Sequence, residues 1–286
     1  MSNPSATKVR VIAALVMAPF AIGAILLLPT SWLAMLAALV FLVGLWEWFK
    51  LAEIDDTLQR TVLLTTNLLL MVLLVWASQG SPDLVPLRLV SLLGVVWWLL
   101  ALFWLGRFSF ASNHETWARV FKLAAGTLAV VPAWCALGLI HASQPNGHVW
   151  LFVALAIVWA ADSGAYFAGR HFGGRWFGTR KLAPRISPNK TIEGLLGGLA
   201  AGMLVAVAGA LIAGAGAAQL PAVLLVAVFT VLFSVVGDLF ESLLKRHVGA
   251  KDSGDLIPGH GGVLDRLDGV LAALPVFALG KELFGF

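Results

Sequence analysis

Apolar residues run along the chain in nine long blocks, at about residues 11–29, 32–51, 61–78, 84–105, 119–141, 149–169, 191–214, 219–244 and 264–284, separated by charged or turn-rich breaks. A helix that crosses a bilayer takes about 20 mostly apolar residues. The pattern therefore predicts an all-α, polytopic integral membrane protein with about nine spans and no room for a large extramembrane domain. The first block follows Lys8 and Arg10, as a signal peptide's would. It continues to Leu28 without a convincing cleavage site before Pro29, so it is read as a span.

Composition agrees with this pattern. Of the 286 residues 60% are hydrophobic and 12% charged, against roughly a quarter charged in an ordinary soluble domain. With a mean hydropathy of +0.92, too few polar residues exist to coat a water-facing surface, which excludes an ordinary soluble enzyme. The net charge of +4 is no argument for nucleic acid, because lysine and arginine in a membrane protein mainly report orientation. Nine spans put 17 of the 19 cations on one face and leave only Arg88 and Lys281 on the other. The N-terminus and the charged loops 170–190 and 245–266 are thus expected in the cytosol. Cys135 is the single cysteine, so neither an intrachain disulfide nor a cysteine-ligated metal can form.

The chain divides by content into residues 1–150, five spans whose charges lie at loop ends, and residues 151–286, four spans with two charged loops and the expected chemistry. In the first part Glu47, between Trp46 and Trp48, fits an interfacial aromatic belt as well as a site, and the belt is the reading preferred. In the second, Asp162, Glu193, Asp238 and Glu241 fall inside or at the rim of apolar blocks. Ionisable groups at membrane depth are expensive and so point to function. Gly194, Gly198 and Gly202 make overlapping G-x-x-x-G spacings that let helices approach closely; a contact within the chain and a homodimer both remain open.

Ser234, Asp238, Glu241 and Lys245 follow at offsets of four, three and four, on one face of the eighth helix. Glu241 and Lys245 suit an ion pair along the helix, whereas Asp238, about two turns inside, suits a site. Beyond them come Lys245-Arg246, Lys251-Asp252, Pro258-Gly259-His260-Gly261-Gly262 and Asp265-Arg266-Leu267-Asp268. The glycines allow tight turns with backbone N–H groups facing a ligand. Asp265 and Asp268, three apart on a first helical turn, can point the same way or simply complement the helix terminus. Carboxylates converging with lysine and arginine beside such a turn suit Mg²⁺ holding a polyphosphate, since Mg²⁺ binds hard oxygen donors from one or two carboxylates plus substrate phosphates. The cations would offset phosphate charge and stabilise a departing pyrophosphate, and His260 could ligate, donate or satisfy the turn. The loop 170–193 repeats the theme: its basic run leads to Ser187, Asn189, Lys190, Thr191 and Glu193. Ser187 or Thr191 could cap the next helix, and the segment could contact phosphate or lipid headgroups.

The run Ser242-x-x-Lys245-Arg246, Lys251-Asp252, Pro258-x-His260-Gly261-Gly262-x-x-Asp265-Arg266-x-Asp268 resembles the signature of the phosphatidate cytidylyltransferases, or CDP-diacylglycerol synthases. Residues 161–166 and 187–194 resemble the same family, so the likeness covers about the last 130 residues. It implies transfer of a cytidylyl group from CTP to phosphatidic acid, with Mg²⁺ and a second, monovalent cation such as K⁺, at the inner membrane of a bacterium. It further implies catalytic roles for Asp238, Lys245, Arg246, Lys251, Asp252, His260, Asp265, Arg266 and Asp268. Substrate would meet Ser187, Asn189, Lys190, Thr191, Glu193, Gly261 and Gly262, and the metal would sit on Asp238 and Asp265. One alternative is a CTP-dependent polyprenol kinase. Another is an ion-coupled transporter, which calls for charges spread across the membrane and both halves. Asp265-x-x-Asp268-Gly269 also mimics the start of the CDP-alcohol phosphatidyltransferase motif, but Ala273 replaces its arginine and no later acidic repeat follows.

Overall fold

The apolar blocks become helices almost residue for residue. A computed structural model describes residues 6–178, 180–257 and 261–286, the side chains of 6–16 and Pro82 excepted. Its helices are α1 (Ala6–Leu27), α2 (Thr30–Leu51), α3 (Thr57–Ser78), α4 (Val85–Leu105), α5 (Thr116–Ala142), α6 (Gly147–Phe172), α7 (Ile192–Ile212), α8 (Leu220–His247) and α9 (Leu264–Phe284). Their ends follow local chemistry: the Asp56 carboxylate accepts from Leu58 N at 2.8 Å to start α3, and Thr191 Oγ1 accepts from Gly194 N at 3.0 Å to start α7.

Two points refine the pattern. Among the described residues nine α-helices form, and seven of them, α2 to α8, are long and apolar enough by their own composition to cross a membrane. The described side chains of α1 begin at Met17, and α9 carries Asp265, Arg266, Asp268, Lys281 and Glu282. The second case has a physical reason. α9 packs against α8, α5, α4 and α2 and buries Val270, Leu271, Ala272, Ala273, Leu274 and Phe277. Protein rather than lipid surrounds it, so it needs no apolar exterior. The fold is also not wholly helical: β1 (Lys181–Ala183) and β2 (Ser187–Thr191) form an antiparallel hairpin in the basic loop, with Lys181 opposite Thr191 and Ala183 opposite Ser187.

Two helix pairs position the site. In α7, Gly194 and Gly198 lie so close to α6 that an added Cβ would stand 3.0 Å from Ala165 O and 2.8 Å from Ala161 O. The glycine stripe is therefore spent within the chain, on a ladder of α6 carbonyls. In α8, Gly237 abuts the carbonyl of Asp268 so closely that a Cβ there would overlap it. Phe240, one turn on, is fully buried among Trp48, Trp97, Trp98 and Trp104, with ring centroids at 5.8, 5.9, 5.7 and 4.8 Å. Aromatic pairs of this kind contribute about 0.5–1.5 kcal/mol each beyond area burial. α2 and α4 thus hold the functional stretch of α8 from behind.

Candidate active site

α6, α7, α8 and the hairpin enclose a cavity of about 510 Å³. Its depth follows from helix geometry. On α8, Val231, Val235 and Asp238 line one wall, so Val231 lies about 10 Å deeper than Asp238 along the axis. Ala161 of α6 and Gly198 of α7 pack together toward that deeper, apolar part, while Arg170, Asn189 and Lys190 line the mouth, and Asp162 and Leu195 also line the cavity. The hairpin explains how Lys190 arrives there: β2 carries it over the mouth, where its ammonium pairs with the Asp238 carboxylate. Ser242 Oγ donates to Asp238 from one turn further along at 3.4 Å.

Asp162, Asp238 and Asp268 act on one another electrostatically, with Lys190 and Arg266 in the same field. Three carboxylates that face one another repel, and a cation or a basic partner is what relieves them. Asp268 Oδ1 accepts from Gly269 N of its own helix at 2.7 Å. Among the described residues no group of three or more His, Cys, Asp or Glu side chains stands ready to hold a metal alone. A pair of carboxylates completed by phosphate oxygens is the donor set that this arrangement fits.

A second cluster, beside the first, fixes the loop after α8. Lys245 Nζ bridges Glu241 Oε2 at 2.8 Å and Asp265 Oδ1 at 2.7 Å, so the pair expected along α8 exists and recruits a third member. Asp265 Oδ2 accepts from Ser253 N at 3.0 Å, Ser253 Oγ at 3.0 Å and Gly262 N at 2.8 Å. With four donors Asp265 clamps the segment after α8. The Gly262 N–H likewise turns to Asp265 rather than to a ligand, and Gly261, at φ 83, closes a bridge with Ile257. Among the described residues Glu241 Oε1 is buried without a hydrogen-bond partner.

Sequence reasoning missed the residue that completes this clamp. Glu47 of α2 is buried rather than interfacial. Its Oε2 accepts from Ser253 Oγ at 3.0 Å and Leu264 N at 2.8 Å, and its Oε1 from Val263 N at 3.1 Å. It thereby caps α9 from another helix, as a carboxylate at a helix N-terminus does. Gly254 and Gly262 leave it room, since a Cβ on either would run into the carboxylate. Asp162, noted as an acid inside an apolar block but given no role, is the other omission. A charge in the middle of an apolar block was the available signal in both cases.

The remaining expected residues divide between cavity and scaffold. Asn189 and Thr191 line the cavity, although the Thr191 hydroxyl is used as the α7 cap. Ser187 belongs to the hairpin's pairing. Glu193, expected to meet substrate, instead folds the segment after α6: its Oε1 accepts from Gly174 N, Trp176 N and Phe177 N at 3.0–3.2 Å. Arg246 Nε donates to Ile186 O at 3.2 Å and ties the hairpin to α8. Lys251, Asp252 and Arg266 are exposed on the same end of the bundle. His260 lies outside the described residues.

A helical membrane bundle with a carboxylate-and-lysine cavity at one end is the class that fold and site define. Within that class the chain belongs to the cytidylyltransferase family, whose profile matches residues 8–284. It is 40% identical to the phosphatidate cytidylyltransferase of Pseudomonas aeruginosa over 272 residues, 95% of each chain. Against the phosphatidate cytidylyltransferase of Haemophilus influenzae it is 34% identical over 288 residues, 95% of this chain and 97% of the relative. The enzyme of that name from Bacillus subtilis is 45% identical over 142 residues, about half of either chain.

Proposed function

We infer that the protein transfers the cytidylyl group of CTP to phosphatidic acid, giving CDP-diacylglycerol and pyrophosphate. The observation that carries this reading is the cavity itself. It is apolar at Val231 and Val235 and polar at Asp238 and Lys190, and so suits a substrate that is half lipid and half phosphate.

The nucleophile is the phosphate of phosphatidic acid, already ionised at neutral pH. One of its oxygens forms a bond to the α-phosphorus of CTP as the bond to the β-phosphate oxygen breaks, and pyrophosphate leaves with the electron pair. No general base is required, so positioning and charge neutralisation supply most of the catalysis. Lys190 can exchange its partner Asp238 for a phosphate oxygen, and Arg266 and Lys251 add positive charge at the same end. Lys245, Asp265 and Glu47 hold the loop that presents Arg266.

Mg²⁺ is the cofactor this reading calls for. Asp238 with Asp162 or Asp268 would hold it, and when bound it offsets the charge on the phosphoryl oxygens. A monovalent cation such as K⁺ would use the carboxylate left over. The excess of cations on the site's face supports a cytosolic orientation in a bacterial inner membrane, where CTP is available.

The test supplies purified protein in detergent with phosphatidic acid, Mg²⁺ and CTP labelled at either the α- or the γ-phosphate. Label from the α-phosphate is expected in lipid and label from the γ-phosphate in pyrophosphate. A folded protein that puts no α-label into lipid, or that puts γ-label there as a lipid kinase would, overturns the reading.

A further inference from the structure

The end of the bundle away from the active site is almost bare of charge, and what charge it has is gathered in one place. Arg88 and Lys281, the two cations that the span count leaves on that face, line a single cavity of about 540 Å³ together with Asp83 and Glu282. The cavity lies among the start of α4, the α5–α6 turn, the α7–α8 turn and the end of α9. Lys281 is 13 residues beyond Asp268 on α9, about 20 Å along the axis, so this cavity is separate from the catalytic one.

Lys281 is 8% exposed, and its ammonium sits over the Trp150 ring at 5.6 Å from the centroid. Glu282 acts on it electrostatically, but the Glu282 carboxylate is ion-paired to Arg88. Among the described residues Lys281 has no ion pair of its own. A buried ammonium facing a cavity, with the nearest carboxylate taken by an arginine, is a costly arrangement that an anion would relieve. The volume suits a headgroup-sized ligand.

The surroundings say where that anion comes from. Leu89, Ile212 and Leu283 are 59%, 77% and 78% exposed, each next in sequence to a residue that lines the cavity, Arg88, Ala213 and Glu282. Exposed apolar side chains beside a hollow that holds an ammonium without an ion pair match acyl chains around a phosphate. We propose that this cavity binds the headgroup of a phospholipid from the leaflet opposite the active site, with the headgroup phosphate against Lys281 and the acyl chains along Leu89, Ile212 and Leu283.

The experiment measures thermal unfolding of the full-length protein in detergent with and without soluble dihexanoyl phosphatidylglycerol, and with inorganic phosphate at the same concentration. The short-chain lipid at about ten times its dissociation constant is expected to raise the wild-type midpoint by roughly 2–4 °C. Inorganic phosphate should leave it unchanged. Lys281→Met should lose the shift, Lys281→Arg should keep most of it, and Asp238→Asn should keep all of it. An undiminished shift in Lys281→Met overturns the proposal, and an equal shift from inorganic phosphate overturns the lipid as source. Should Lys281→Met fail to fold, Ala142→Trp, which fills the cavity while leaving the lysine, decides the matter: a full shift there overturns the proposal as well.

Discussion

Asp238 and Asp265 are matched to one metal centre by resemblance, yet their surroundings assign them different work. Asp238 faces the cavity with Lys190 as its ion-pair partner, so Asp238→Asn should abolish turnover and leave the unfolding midpoint near that of the wild type. Asp265 accepts four hydrogen bonds. An asparagine there turns an NH₂ toward groups that are themselves donors, and each charge-assisted bond is worth about 1.5–3 kcal/mol. Asp265→Asn should therefore lose both activity and several degrees of thermal stability; an active or fully stable Asp265→Asn would remove it from the clamp. A third carboxylate gives a pH effect. Glu53, just after α2, would be raised by burial, but His114 and Lys122 outweigh that and hold its pKa below the ordinary 4.5. Lys122 is buried against it at 3.3 Å. A depressed folded-state pKa means that this stabilisation is complete above pH 4.5 and is lost as pH falls through the lower folded value. Glu53→Gln should thus unfold earlier than wild type at pH 7, with the two midpoints converging on acidification below pH 4. A constant difference across that range would show that the ionised pair is not what stabilises the fold.

At the scale of elements, the site depends on how closely α8 and α9 approach. Gly237 lets the backbone of Asp268 lie directly against α8, which brings Asp238 and Asp268 into one electrostatic cluster. Gly237→Ala forces the helices apart or strains them, an overpacking that costs about 1–3 kcal/mol. Turnover should fall by far more than stability does, because the carboxylates separate; kinetic assay beside thermal unfolding checks it, and wild-type turnover in that variant would show that the spacing does not matter. Helix positions were legible from apolar runs alone, because lipid contact demands continuous hydrophobicity and leaves the breaks charged. The hairpin was not legible: β1 is three residues long and sits in a basic run that carries no alternation. The status of α9 was half legible. Its length and bounds followed from the pattern, whereas its burial inside the bundle depends on neighbours that periodicity cannot name.

The whole molecule joins a half that looked chemically empty to the half with the signature. Glu47 reads locally as a membrane-interface residue because its partners are 206 to 217 residues away, beyond anything spacing can reveal. Trp48 beside it donates Nε1–H to Lys122 O at 2.8 Å and stacks on Phe240. α2 thus presents one residue to the α8 core and the next to the start of α9. Through Glu47 the N-terminal half sets where Ser253, Val263 and Leu264 lie, and with them where the first turn of α9 carries Arg266 and Asp268. Glu47→Ala should lower kcat strongly, with a smaller change in KM for CTP, because the loop is mispositioned while Lys190 and Asp238 remain. Glu47→Gln, which keeps one accepting oxygen, should fall between the two. Hydrogen exchange separates this from general destabilisation: the Val263 and Leu264 amides should exchange faster in Glu47→Ala, while the helical amides of α6 and α7 keep wild-type protection. Unchanged protection at Val263 and Leu264, or a wild-type kcat, would mean that α9 finds its place without the Glu47 carboxylate.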